Sequence, residues 1–174
     1  MNQTAHDAIG EVWTLTIKTR ALCPYTDKSA IGIKGYISPG WYQAHGAVYF
    51  VNLAEPLTDS DVKELNQIGG FVNRSFVIAM ASILEANGVV PYRSNPDRTK
   101  PGGDHAQLTK WLRNRFAHGE WVYDANNSKH VETRELLEKL FPNGAAGGPG
   151  FITSIDSILE PLKDGVLLYI QSTT

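Results

Sequence analysis

Three side chains near the end of one predicted helix combine what is needed to move a proton and to hold an anion. They are Arg113, Asn114 and His118. Arginine stays charged and offers parallel donors to a phosphate, whereas histidine exchanges a proton near neutral pH. Asn114 and His118 are four residues apart and share a helix face, and Arg113 lies about 140° around an ideal helix from His118. The asparagine can orient the imidazole or bind a substrate oxygen.

This set of groups suits cleavage of RNA without a metal ion. A base takes the proton of the ribose 2′-hydroxyl, the oxygen attacks the adjacent phosphorus, and an arginine stabilises the added negative charge. One histidine per chain supplies half of an acid–base pair. A symmetric homodimer would bring two copies together across a two-fold axis and supply both halves.

The segment before this motif is locally basic. Between residues 91 and 118 there are six Lys or Arg and two Asp, a net charge of +4, although the whole chain has 16 basic and 18 acidic residues and a net charge of -2. A local positive field in an acidic protein is typical of a surface that binds phosphates. The predicted RNA-binding residues are Arg93, Arg98, Lys100, Lys110 and Arg115. Taken singly, each also fits a solvated loop charge.

The composition excludes several other classes of protein. A chain of 174 residues with 42% hydrophobic content has enough apolar material for one core. The single cysteine, Cys23, excludes an intrachain disulfide and a Cys-rich metal site. The five histidines lack ligand spacing, so neither a metal nor a cofactor is predicted. The first residues do not resemble a signal peptide, and no apolar run is long enough to span a membrane. We therefore expect a cytoplasmic protein without membrane contact.

Helical periodicity dominates the chain after residue 56. The predicted helices cover residues 57–88, 104–118, 133–141 and 153–171, with Asp104 as the N-cap of the second. Gly119 and Pro142 end two of them, and Pro161 should bend or split the last. The pair Gly69-Gly70 marks a kink or a close helix contact. Residues 143–150 form a Gly-rich connector without the Lys-Ser/Thr of a phosphate-binding loop.

The first 56 residues are ambiguous. Ile9, Val12, Trp13 and Ile17 fit a helix stripe, whereas Trp13, Leu15 and Ile17 also alternate as in a strand. We favour helix because the rest of the chain is helical. Residues 47–53 carry the same ambiguity. The predicted organisation is an N-terminal extension over 1–56 that packs on a helical domain over 57–174, and the predicted fold class is all-α.

The string Arg113-Asn114-x-x-x-His118-Gly119 resembles the R-N-x-x-x-H form of the HEPN superfamily motif. An apolar helix with an acidic end, residues 71–85, precedes a loop and the motif helix, as in that family, and the resemblance covers about two-thirds of the chain. It implies an all-α, HEPN-like bundle of about four to five helices that forms a homodimer. It also implies a metal-independent endoribonuclease of a toxin–antitoxin or phage-defence system, with Arg113 and His118 catalytic and Asn114 as the polar residue after the arginine. An antitoxin or a nucleotidyltransferase would be its partner.

The chain departs from one HEPN subgroup at the residue that a partner nucleotidyltransferase modifies. That subgroup has a tyrosine two residues after the histidine, whereas this chain has Glu120 there and its nearest tyrosine is Tyr123. The alternative function is a non-catalytic HEPN-like module for dimerisation or RNA binding. In that case Arg113 could be a structural partner of Glu85 or Glu120. A nucleotide-binding enzyme with the same basic face is a third alternative.

The aromatic residues near the motif fit two roles. Core packing is the simpler interpretation for Trp111, Phe116, Trp121 and Tyr123, whereas Trp121 or Tyr123 could instead stack on a base.

Overall fold

The fold was analysed in a computed structural model that describes residues 2–23, 26–37, 50–91, 93–119, 123–142 and 156–173. The described chain is mostly helical, which confirms the all-α prediction. Its five α-helices are α1 (Gln3–Leu22), α2 (Asp59–Ala86), α3 (Gly103–Ala117), α4 (Ser128–Leu140) and α5 (Asp156–Ser172). Between α1 and α2 lie a short 3-10 helix, Lys28–Ala30, and two strands, β1 (Gly35–Ile37) and β2 (Val51–Leu53). The predicted connector over 143–150 and residues 47–49 lie outside the described residues.

Of the two ambiguous N-terminal segments, the first is a helix and the described part of the second is a strand. Residues 9–17, which fitted both periods, lie inside α1, whereas residues 51–53 form β2. The two strands pair antiparallel, with Tyr36 opposite Asn52. Packing decides between the two periods in α1, because Ile9 and Ile17 are buried while Leu15 is 64% exposed.

The chain forms two compact units. The first unit consists of residues 13–73, and the second unit consists of residues 1–12 together with residues 74–174. In the first unit Ile17, Ala21 and Trp13 pack together. There the side chain of Arg20 lies against Gly69, where a Cβ atom would be 1.6 Å from Nη1. The predicted close contact at the glycine pair is therefore present at Gly69, and a larger residue there would require the end of the Arg20 side chain to move.

The core of the second unit holds the helix that carries the motif. Its largest buried side chains include Phe76 and Met80 from α2, Leu108 and Leu112 from α3, Leu137 from α4, and Ile158, Leu162 and Ile170 from α5. Asn2 Nδ2 donates to the backbone oxygen of Asn87 over 2.8 Å, which ties the start of α1 to the end of α2. Helix α3 is therefore held by buried apolar residues along its first three turns.

Two predicted helix starts need correction. Asp104 is not the N-cap of α3. That position belongs to Gly102, whose φ of 76° places it in the left-handed region that favours glycine, so Asp104 lies in the first turn. Helix α4 begins at Ser128, five residues before the predicted start, because the Asn127 side chain accepts the N–H of Lys129 as an N-cap.

Helix α2 begins with a reciprocal cap. The hydroxyl of Thr58 accepts the Asp61 N–H, and the Asp61 carboxylate accepts both the N–H and the hydroxyl of Thr58. Among the described residues α2 alone is long and apolar enough to cross a membrane by length and composition. Its second half, however, buries core residues of the second unit. They are Phe76, Val77, Met80, Ala81 and Leu84.

Helix α5 continues through its proline. Pro161 lies inside the helix and is exposed, and the helix extends to Ser172. Of the two expected effects of Pro161, a bend or a split, the split is therefore wrong. Pro161 is the sixth residue of α5, so its missing N–H removes one i to i−4 bond near the start of the helix.

Candidate functional site

The last turn of α3 places the motif residues at an exposed helix end. The helix ends at Ala117, and His118 is the C-cap. The His118 N–H donates to the backbone oxygen of Asn114, and the Gly119 N–H donates to that of Phe116. Gly119 follows with φ of 69°, the left-handed conformation that ends many helices. The terminus therefore turns sharply at Gly119, as its sequence predicts.

The structure brings Arg113, Asn114 and Glu85 together. Arg113 Nη1 donates to Asn114 Oδ1 over 3.0 Å. Arg113 Nη2 lies 3.8 Å from Glu85 Oε2, with the arginine side chain 30% and the glutamate side chain 19% exposed. The guanidinium is therefore oriented by a carboxylate from the end of α2 and still reaches solvent. This is the pairing with Glu85 that the sequence left open as an alternative role of Arg113.

The His118 side chain is not bonded to any of these three groups. Its side chain is exposed, and within the described part of the chain it makes no side-chain hydrogen bond or ion pair. An exposed imidazole at a helix end can meet a substrate or a second molecule without any rearrangement. Within one chain, however, no second acid–base group of the described residues is bonded to it.

Two of the predicted RNA-binding residues have different polar partners. Lys110 donates to the backbone oxygen of Ser94 and to Asn95 Oδ1, and it lines a small cavity of α2 and α3 together with Glu85. Arg98 instead contacts Asp104, with Nε 2.5 Å from Oδ1.

The other predicted RNA-binding residues are Arg93, Lys100 and Arg115. Arg93 is exposed and has φ of 69°, unusual for a residue with a side chain. Lys100 and Arg115 are half-buried.

Asp104 joins two cations at the start of α3. Its Oδ1 meets Arg98, and its Oδ2 lies 2.7 Å from Nζ of Lys139 at the end of α4. Partial burial opposes ionisation of Asp104, but the bonds to Arg98 and Lys139 outweigh it and hold its pKa below the ordinary value. One carboxylate between two cations leaves a net positive charge at this end of the helix pair.

A groove of about 360 Å³ runs between α3 and α4 from that cluster. It is lined by Arg98, Trp111, Glu132, Glu135, Leu136 and Lys139. Leu136 is buried and Trp111 is half-buried, whereas both glutamates are exposed. The sequence assigned Trp111 to core packing, and only the helix pairing shows that its ring borders an open groove.

Two other residues near the motif have structural partners. His105 lies edge-on to Phe141, with ring centroids 5.8 Å apart, and it contacts Gly165 of α5 so closely that a Cβ there would be 2.1 Å from the ring. Burial lowers the pKa of His105, and the Asp104 charge opposes that shift. Tyr123 carries the Arg134 guanidinium 4.1 Å above its ring centre, so that face of the phenol is covered. Trp121 and Glu120 lie outside the described residues.

The described residues contain no cluster of three or more His, Cys, Asp or Glu side chains able to hold a metal ion. The chain matches no family model, and no curated protein and no solved structure is significantly similar to it. The function must therefore be argued from the residues and their geometry.

Proposed function

We propose that the protein is a metal-independent endoribonuclease of the HEPN type, which acts as a homodimer in the cytoplasm in a toxin–antitoxin or phage-defence role. The observation that carries the proposal is the arrangement at the end of α3. Arg113 is oriented by Glu85 and Asn114 and remains 30% exposed, and the exposed His118 caps the same helix end.

Each group has a role in 2′-hydroxyl attack. His118 takes the proton from the 2′-hydroxyl, or returns one to the leaving 5′-oxygen, since an imidazole exchanges protons near neutral pH. The 2′-oxygen forms a bond to phosphorus as the P–O5′ bond breaks, which gives a 2′,3′-cyclic phosphate and a 5′-hydroxyl. Arg113 stabilises the additional charge on the phosphate oxygens, and Asn114 holds the guanidinium from the side.

The homodimer supplies the second acid–base group. One chain offers a single exposed His118, and a two-fold axis near the end of α3 would place a second His118 across the scissile phosphate. An antitoxin or nucleotidyltransferase partner would control such an activity by covering or modifying this helix end.

The test compares two histidine variants on RNA in excess EDTA. Wild-type protein should cleave RNA and leave 2′,3′-cyclic phosphate ends, whereas His118→Ala should lose at least about 100-fold in rate, as expected for removal of a general acid–base group. The matched control is His6→Ala, since His6 is a partly exposed histidine of α1 whose imidazole lies 3.4 Å from the Asp7 carboxylate. Equal cleavage by His118→Ala and wild type would refute the role of His118.

A second candidate function is RNA binding without cleavage. It is favoured by the engagement of Arg113, whose guanidinium already contacts Glu85 and Asn114. A binding module would bind RNA in a salt-dependent way and yield no product in prolonged digests. It would also express freely in cells, whereas an active toxin should be expressed well only when His118 or Arg113 is changed.

A further inference from the structure

The groove between α3 and α4, called here the Trp111 groove, has an apolar floor and charges of opposite sign at its two ends. Trp111 and Leu136 form the floor. Asp104 at the start of α3 meets Lys139 at the end of α4, so the two helices run in opposite directions. Glu132 and Glu135 also line the groove, about two turns and one turn before Lys139 on α4, on the side away from Asp104.

The acidic end of the groove is not neutralised by the surrounding chain. Within the described residues neither Glu132 nor Glu135 makes an ion pair, whereas Asp104 already engages both Arg98 and Lys139. The groove therefore offers carboxylate acceptors at one end and donors with a net positive charge at the other. A ligand that fits must carry hydrogen-bond donors for the carboxylates, a flat apolar body in the middle and an anion for the cationic end.

The Trp111 groove lies on the same side of α3 as His118. Seven residues separate Trp111 from His118, which is within about 20° of the same face and about 10.5 Å along the axis of an ideal helix. Since α4 runs antiparallel to α3, the glutamate end of the groove faces the His118 end of α3. A chain of nucleotides that passes His118 can continue into this groove.

We infer that the Trp111 groove binds a nucleobase of the RNA next to the cleaved nucleotide, and that it prefers bases with an exocyclic amino group. This inference rests on the proposed function, because RNA is its ligand. Trp111 stacks on the base, as aromatic side chains do in single-strand binding sites. Glu132 and Glu135 accept the amino group of adenine, cytosine or guanine, while Arg98 and Lys139 contact a phosphate. Uracil has no amino group, and the carboxylates repel the two carbonyl oxygens that flank its single N3–H.

The test measures binding in the His118→Ala background, which keeps the RNA intact. Fluorescently labelled oligoadenylate and oligouridylate of equal length are titrated in EDTA and followed by anisotropy. We expect tighter binding of oligoadenylate. Trp111→Ala should weaken that binding about ten-fold, since stacking on one aromatic ring accounts for roughly one factor of ten or more per base. Trp111→Phe keeps a stacking ring in the same groove and should retain most of the affinity, so a general folding defect is distinguishable.

Substitution of the two glutamates tests the base preference, which would not change if their role were purely structural. Removing the charges of Glu132 and Glu135 together (E132A/E135A) should tighten oligouridylate binding by relieving repulsion and abolish the preference for oligoadenylate. Glu138→Ala is the matched control, because Glu138 is an exposed glutamate of α4 that does not line the groove. It should leave the ratio of the two affinities unchanged.

Two results would overturn the inference. One is an oligoadenylate affinity that is equal in the Trp111→Ala and parent proteins. The other is an unchanged ratio of affinities in E132A/E135A. Either result would leave cleavage by wild type as an independent question. Conversely, Trp111-dependent binding by a protein that never cleaves RNA would refute the proposed endoribonuclease while the groove assignment stands.

Discussion

The Arg113 guanidinium has two partners within its own chain, and they affect how strongly it can bind a phosphate. Asn114 fixes its direction, while Glu85 places a negative charge 3.8 Å from it. The glutamate competes with any anionic ligand for the same guanidinium. Glu85 therefore keeps the side chain in place at some cost in phosphate affinity.

Removing the negative charge of Glu85 should strengthen RNA binding. We expect Glu85→Gln, in the His118→Ala background, to tighten RNA binding by about two- to five-fold, because partly exposed pairs contribute less than about 1 kcal/mol. The free energy of unfolding should change by less than that amount. The measurement is anisotropy at two salt concentrations, with Glu138→Gln as the control for net charge. An affinity that rises equally in both variants would mean that only net charge matters and that Arg113 does not contact RNA.

His105 makes the stability of the second unit depend on pH. Burial against Gly165 and Phe141 lowers its pKa below the ordinary value of 6.5. Below pH 6.5 the unfolded chain therefore takes up a proton that the folded chain resists, and the free energy of unfolding falls until the pH reaches the folded pKa. Above pH 6.5 the residue contributes no pH dependence.

This dependence can be isolated by substitution. The urea midpoint of wild type should decrease from pH 7.5 to pH 5.5, and the decrease should be smaller in His105→Asn, which cannot titrate. His6→Asn serves as the control, because His6 is not enclosed in the core. The same decrease in wild type and His105→Asn would show that other groups cause the pH dependence.

Sequence reasoning reached some of these residues and missed others. Arg113, Asn114 and His118 could be proposed from the sequence because their types and spacing suit one reaction. The partner Glu85 could be named only as an alternative, since 28 residues separate it from Arg113 and no period links two helices. Trp111 was assigned to the core because an aromatic residue at helical spacing is usually packed. Its position in a groove depends on how far α4 covers it, which no local pattern specifies.

At the scale of elements, α3 is packed against α5 through glycines. A Cβ on Gly165 would lie 2.1 Å from the ring of His105, and one on Gly102 would lie 2.1 Å from the backbone oxygen of Gly165. The two helices therefore approach more closely than any larger residue would allow. The position of the motif helix depends on this contact.

Gly165→Ala should destabilise the protein by about 1–3 kcal/mol, because the added methyl group forces α3 away from α5. Gly10→Ala is the matched control. Gly10 lies inside α1 with nothing within 4 Å of the added Cβ, so alanine should stabilise by roughly 0.5–1 kcal/mol through helix propensity. Urea unfolding of the three proteins gives both values. A stabilising effect of Gly165→Ala would mean that the α3–α5 contact relaxes without cost.

The C-terminal end of a helix was predictable where glycine or proline stops it. The N-terminal start was not predictable where a capping residue sets it. Gly119 and Pro142 end α3 and α4 as expected, since a left-handed glycine and a proline stop helices by local sterics. The start of α3 was wrong because Asp104 is a good cap in isolation, whereas Gly102 adopts the required turn. The start of α4 was missed because its first turn, which Asn127 caps, is largely polar and shows no apolar period.

At the scale of the whole molecule, the helical fold class follows from the apolar periods of the sequence, whereas the association of chains does not. The 16 basic and 18 acidic residues give almost no net charge, so composition favours neither a nucleic-acid coat nor a monomer. A dimer is required only by the proposed chemistry, because each chain presents one exposed histidine at the end of α3. That requirement can be tested without knowing the dimer geometry.

Mixing active and inactive chains should reduce activity more than dilution does. If one site needs His118 from both chains, a mixed dimer of wild type and His118→Ala has lost one of the two acid–base groups at each shared phosphate. Excess His118→Ala added to a fixed amount of wild type, with time for exchange, should therefore lower the total rate of RNA cleavage several-fold. Added Glu138→Gln, which differs from wild type only at an exposed residue of α4, should instead raise it.

A total rate that stays constant as His118→Ala is added, in a protein shown by sedimentation to exchange subunits, would mean that each chain cleaves alone. In that case a second group of the same chain must supply the missing acid or base.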